Sequence, residues 1–266
     1  MRFFLSASSR LFRTRRYALT LFAAFVLALY SVPFLNLIRE TMAMMTPEVA
    51  DTFRSGGVYH IGVLSLVNLD ASGEEILMGI CSGAFALQLI IFTAASFLYT
   101  ERVGGYLLIA LARGQSRVQA YAQYLTLSAL SVLPPLICLQ LGAVLSLRFQ
   151  GTLAVQHPWR LGAVLLLQTL LLCAAALCAA AFCLTAGKGQ LVLAAMGGTL
   201  LLQTLPRYLT ALTHGRLRIE RLSLLSWLEN SCQLELHQIP PCAAVAFVTA
   251  LICSLIGFAF FRVRHW

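Results

Sequence analysis

The sequence predicts an all-α polytopic membrane protein with six transmembrane helices. A basic interfacial segment precedes the first helix, and a re-entrant or interfacial helix precedes the last. Three observations predict this class. Of 266 residues, 59% are hydrophobic and only 11% are charged, whereas a soluble domain carries about a quarter charged residues. The mean hydropathy is +0.82. Apolar runs of about 20 residues or more recur along the chain, each long enough to cross a hydrocarbon core of about 30 Å at about 1.5 Å per residue. Residues 1–266 are therefore read as a single transmembrane domain, with no room for a large soluble one.

Taken in order, residues 1–16 interleave Arg2, Arg10, Arg13, Arg15 and Arg16 with Phe3, Phe4, Leu5, Leu11 and Phe12. That pattern suits a helix lying on the membrane surface. The first span is 17–38. It exceeds a signal-peptide core in length and lacks a clear small-residue cleavage site, so it is expected to be retained. An outer segment, 39–75, follows, with Pro47, Gly56-Gly57 and Gly73. The second span, 76–99, contains Gly79 and Gly83, a spacing that lets helices approach closely. A connector, 100–120, leads to the third span, 121–147, which Pro134-Pro135 is expected to break in two. The fourth and fifth spans are 161–186 and 191–212. Pro33 and Pro206 are expected to kink or end their helices. The outer segment 213–240 carries Leu222, Leu224, Leu225, Trp227 and Leu228, a spacing for an interfacial, re-entrant or ordinary loop helix. The last span is 241–261.

The net charge of +9 does not point to nucleic acid. The arginines flank spans and form no stripe with interleaved aromatics. They set orientation instead. One side collects the N-terminal arginines, Arg102, Arg113, Arg117, Lys188, Arg262 and Arg264, in short segments. The other collects Arg39, Arg54, Arg148, Arg160, Arg207, Arg216, Arg218 and Arg221, with every acid except Glu101. Both termini are thus expected in the cytoplasm.

Within these bounds the spans contain no Asp, Glu or Lys, and only Arg207 intrudes. An ion-coupled transporter ordinarily needs an ionisable group near the midplane. Neutral polar residues such as Gln88, Gln140 and Gln168 are expected to bond between helices. Most of the eight cysteines lie in apolar runs and act as small hydrophobes, with no metal-ligand spacing, so no metal is expected. Whether Cys232 and Cys242 pair stays open. No HExxH, no Gly-x-Ser-x-Gly and no phosphate-binding Gly-x-x-x-x-Gly-Lys-Ser/Thr occurs, so neither catalysis nor nucleotide binding is predicted for this chain. No internal repeat is visible.

The connector is the most informative stretch. Glu101 closes the second span, Gly104-Gly105 opens a short apolar turn, and Gly114-x-Ser116-Arg117 starts the third span. This pattern resembles the permeases of type-2 ABC exporters, in which an acid, a glycine-led short helix and a small-residue–Ser-Arg element occupy these places. Gly105 stands where threonine is usual, and Gln123 and Tyr124 lie where a lysine is often found. The resemblance implies an ATP-driven export permease of a bacterial-type plasma (inner) membrane, coupled to a separate ABC ATPase. Glu101, Arg102, Gly104, Gly105, Arg113, Gly114, Ser116 and Arg117 would form that coupling surface. It also implies a second permease copy or paralogue, with ATP and Mg²⁺ on the ATPase and no cofactor in this chain. The alternatives are a non-transporting assembly or sensor subunit and an ATP-independent transporter.

Overall fold

The structure is a computed structural model. It describes residues 2–44, 59–61, 63–66, 68–185, 197, 204–205, 208–210, 212–213 and 223–263. The chain is mostly helical, and five of its described segments are long and apolar enough to cross a membrane: Arg15–Ala43, Gly73–Val103, Arg117–Phe149, Pro158–Thr185 and Leu236–Val263. They contain four of the six expected runs in full and 161–186 as far as residue 185. The other, 191–212, falls largely outside the described residues.

Helix α1 (Arg2–Arg13) is joined to α2 (Arg15–Ala43) through the extended residue Thr14. α2 runs through Pro33 without ending. A hairpin of β1 (Tyr59–Ile61) and β2 (Leu64–Leu66) follows, antiparallel, with Ile61 opposite Leu64. This is a departure from the expected all-α class. It lies in the segment between the first two spans, where its backbone need not be satisfied within one helix.

The second span is discontinuous. α3 (Gly73–Gly79) is capped by Ser72, breaks at 80–83, and resumes as α4 (Ala84–Val103). The short α5 (Tyr106–Ala112) then leads to α6 (Arg117–Leu130) and α7 (Leu133–Phe149). The break between α6 and α7 is the one expected from Pro134-Pro135. Neither proline has an N–H to donate to the preceding turn, and the carbonyl of Ser131 is left over. Tyr17 of α2 fills it, its hydroxyl donating to that oxygen at 3.1 Å.

The break at 80–83 is repaired in the same way. The carbonyls of Leu77 and Met78 would have received the amides of Cys81 and Ser82. Gln140 of α7 donates to the Leu77 carbonyl at 3.0 Å. Gln168, on α8 (Pro158–Thr185), donates to the Met78 carbonyl and to Ser231 Oγ, each at 2.8 Å. Gln140 and Gln168 thus bond between elements as expected, and what they bond is the backbone of a broken span. Gln88 does not follow: its side-chain nitrogen is buried with no partner among the described residues.

Helix α9 (Leu224–Asn230) buries Leu224, Leu225 and Leu228 beside α8, and α10 (Ile239–Val263) packs along α8. α8 is the hub, touching α4, α6 and α10, while α2 leans mainly on α7. The glycines of close helix approach are Gly142 and Gly257. A Cβ on Gly142 would lie 2.5 Å from the Phe25 carbonyl of α2, and one on Gly257 would lie 2.8 Å from Ala181 Cβ of α8. Gly79 and Gly83, expected to pack helix on helix, instead face the hairpin: added Cβ atoms would meet the Ser65 carbonyl and Ser65 Oγ. The correction has a simple cause. The span breaks between them, so they share no helix face.

Side-chain bonds separate the two ends of the bundle. At the hairpin end, Glu74 Oε2 accepts from the backbone amides of Gln156 and His157, each at 2.9 Å. Arg39 donates to the carbonyls of Leu69 and Ala71, and Arg160 to that of Cys232. The other end gathers α1, the end of α4, α5, the start of α6 and the last turns of α8 and α10. Cys232 and Cys242 are free thiols.

Candidate functional site: the connector end of the bundle

The connector is built by two glycines and a serine. Gly105 at φ +70° ends α4, its amide donating to the Arg102 carbonyl. Gly114 at φ +86° ends α5, with amides of Gly114 and Gln115 closing onto the carbonyls of Leu111 and Ala110. That left-handed stop satisfies carbonyls the helix would otherwise orphan. Two residues on, Ser116 caps α6, its hydroxyl accepting from the Gln119 amide at 3.2 Å. The Gly114-x-Ser116-Arg117 pattern is therefore a helix stop followed at once by a helix start. It fixes the direction of α5 relative to α6.

Glu101 sits in the last turn of α4 and is only 2% exposed. Arg10 of α1 grips it with two parallel bonds, Nε to Oε1 at 2.8 Å and Nη2 to Oε2 at 2.7 Å. Tyr124 of α6 donates its hydroxyl to Oε2 at 2.9 Å. The Arg10 guanidinium also lies over the Tyr106 ring of α5, 4.2 Å from its centroid. One carboxylate thereby joins four helices. The hydrogen bond that Arg10 donates to Glu101 raises the Arg10 pKa above its ordinary value, so the guanidinium stays charged across the physiological range.

Arg102, next in sequence, is buried too and donates to the Cys183 carbonyl near the end of α8, at 2.6 Å. Arg117 donates to the Arg262 carbonyl near the end of α10. The partner of Glu101 is not a connector arginine but Arg10, 91 residues away. Glu101 and Arg102 are internal ties, buried and unable to meet another chain directly. The outward surface of the connector comprises Arg113, Gly114, Ser116 and Arg117, together with Leu108 and Ile109 of α5, whose neighbours Leu107 and Ala110 are buried. Gly104 is exposed and Gly105 half-buried.

Sequence reasoning missed Arg10, Tyr124, Leu108 and Ile109. Tyr124 occupies the region where the resembling family often has a lysine, and that substitution was the available signal. Among the described residues, no three His, Cys, Asp or Glu side chains are grouped to hold a metal ion. No protein-family model matches the chain, and no curated protein matches it.

Proposed function

We propose that this chain is the permease subunit of an ATP-driven exporter of the type-2 ABC kind. It crosses the membrane six times, with 191–212 as the fifth span and both termini in the cytoplasm. It works with a second copy or a paralogue and with a separate ATPase that carries ATP and Mg²⁺. The observation that carries the reading is the connector. A two-turn helix stands between two spans, held by left-handed stops on both sides, with exposed Leu108, Ile109, Arg113 and Arg117 on its outward surface. A rigid surface of this kind transmits displacement into the spans as rigid-body motion. Its arginines suit charge-assisted bonds to carboxylates of a motor protein. Arg10, Glu101, Tyr124 and Arg102 would carry the motion inward, because they lock the connector to α1, α6 and α8.

The test is affinity purification of the tagged chain from native membranes in mild detergent, followed by mass spectrometry. A nucleotide-hydrolysing partner is expected with the wild type. It should be depleted with Arg113→Glu and Arg117→Glu, each inserted normally. Repeated recovery of the chain with no such partner would refute the proposal.

A further inference from the structure

We propose that the elbow between α1 and α2 binds an anionic phospholipid drawn from the surrounding leaflet. Thr14 separates a surface helix from a span, and Arg15 and Arg16 begin that span. A cavity of about 560 Å³ opens here against α4, within the size of small-molecule clefts, about 300–1,000 Å³. It exists because α2 leans on α7 and touches α4 only lightly. Leu11, Phe92, Phe97 and Ser96 line its interior, and Arg15 and Arg16 line it from the elbow.

The charge selects the occupant. Both arginines are exposed, and their guanidiniums make no hydrogen bond or ion pair with the described residues. Among the described residues no carboxylate lines the cavity, and the nearby Glu101 is already gripped by Arg10. An anionic headgroup therefore meets two uncommitted guanidiniums with no opposing acid, the arrangement by which basic pockets between spans hold acidic lipids. The apolar lining then distinguishes a lipid from a free phosphate. Phe92 to Val103 on α4 spans about 16 Å along the helix, enough to lie beside much of an acyl chain. A small anion has no use for Phe92 or Phe97. Bound there, the lipid would brace the elbow against α4, close to the Arg10–Glu101 pair. The proposal rests on the elbow alone and does not require an ATPase partner.

The experiment uses the full chain purified in detergent and incubated with phosphatidylglycerol, phosphatidylcholine or soluble glycerol phosphate. Retention is read by native mass spectrometry and stabilisation by thermal unfolding. Phosphatidylglycerol should be retained and should raise the unfolding temperature, while the other two should do neither. Arg15→Gln with Arg16→Gln should weaken retention by at least about tenfold. Because charge loss can alter insertion, Ser96→Phe serves as the second variant: it fills the cavity and keeps both arginines. Loss of retention in either variant with unchanged helical content supports the site. Retention unchanged in both overturns it, as does equal retention of phosphatidylcholine. Equal stabilisation by glycerol phosphate overturns it as well, since a headgroup alone would then suffice.

Discussion

Glu101 was recognisable in the sequence as the lone acid on its side of the membrane. Its role was not, because the residue that defines it lies on the helix before the first span, 91 residues away, and sequence spacing says nothing about such a pair. With Arg10 found, the energetics follow. A hydrogen bond to a charged group is worth about 1.5–3 kcal/mol, and Arg10 is 26% exposed at its side chain against 2% for Glu101. Glu101→Ala lets the arginine turn to water, so a loss of about 2 kcal/mol is expected. Arg10→Ala strands a buried carboxylate and should cost more. The two together should be non-additive, with a coupling of about 1–3 kcal/mol. Thermal unfolding of the four proteins in detergent reads this, and additive single losses would refute the pairing. Cys232 makes a second prediction at this scale. Burial pushes its thiol upward, so little thiolate exists at neutral pH and the fraction grows only as pH rises. Alkylation followed by peptide mapping should find Cys232 slow at pH 7 and faster at pH 9. A rate at pH 7 matching an unstructured thiol would contradict it.

Elements were legible wherever one residue type enforces the outcome. Pro134-Pro135 break the third run because proline lacks an N–H, and the break falls just before them. The long apolar runs became helices because hydrocarbon leaves the backbone no other partner. The break at 80–83 has no proline to announce it. It is held open by Gln140, Gln168 and the hairpin packed against Gly79 and Gly83, all of which are tertiary contacts. Its stability should therefore depend on the glutamines. Gln168 is 1% exposed, and Gln168→Leu leaves the Met78 carbonyl and Ser231 without their donor. A cost of about 0.6–2 kcal/mol is expected, the range found for bonds between membrane helices. Gln140→Leu should cost less, since Gln140 is only half-buried. Unfolding midpoints equal to wild type in both would show that the carbonyls are satisfied otherwise. The connector yields a contrasting case. Nothing lies within 4 Å of a Cβ built on Gly105, so Gly105→Ala meets only the left-handed backbone penalty of about 1–2 kcal/mol. Asparagine, which tolerates that conformation, should restore most of the loss.

At the scale of the molecule, the arginines divide as the side-chain bonds do. Arg10, Arg102, Arg113, Arg117 and Arg262 gather at the connector end, while Arg39, Arg148 and Arg160 belong to the hairpin end. Among the described residues, grouping segments by charge and grouping them by contact thus give the same two sets. Contact alone carries no direction, but lysine and arginine bias does, because short basic segments are retained on the cytoplasmic side. The N-terminal arginines lie within a few residues of the first span, where that bias acts most strongly. The connector end is therefore expected to face the cytosol, as the proposed coupling to a soluble ATPase requires. Two exposed positions report it: Ser116 beside the connector, and Thr152 in the loop after α7. With single cysteines placed there on a cysteine-free background, a membrane-impermeant maleimide should label Thr152→Cys in intact cells. It should label Ser116→Cys only after the membrane is opened. The reverse pattern would put the connector outside, beyond reach of any cytosolic motor, and would remove the proposed coupling together with the orientation.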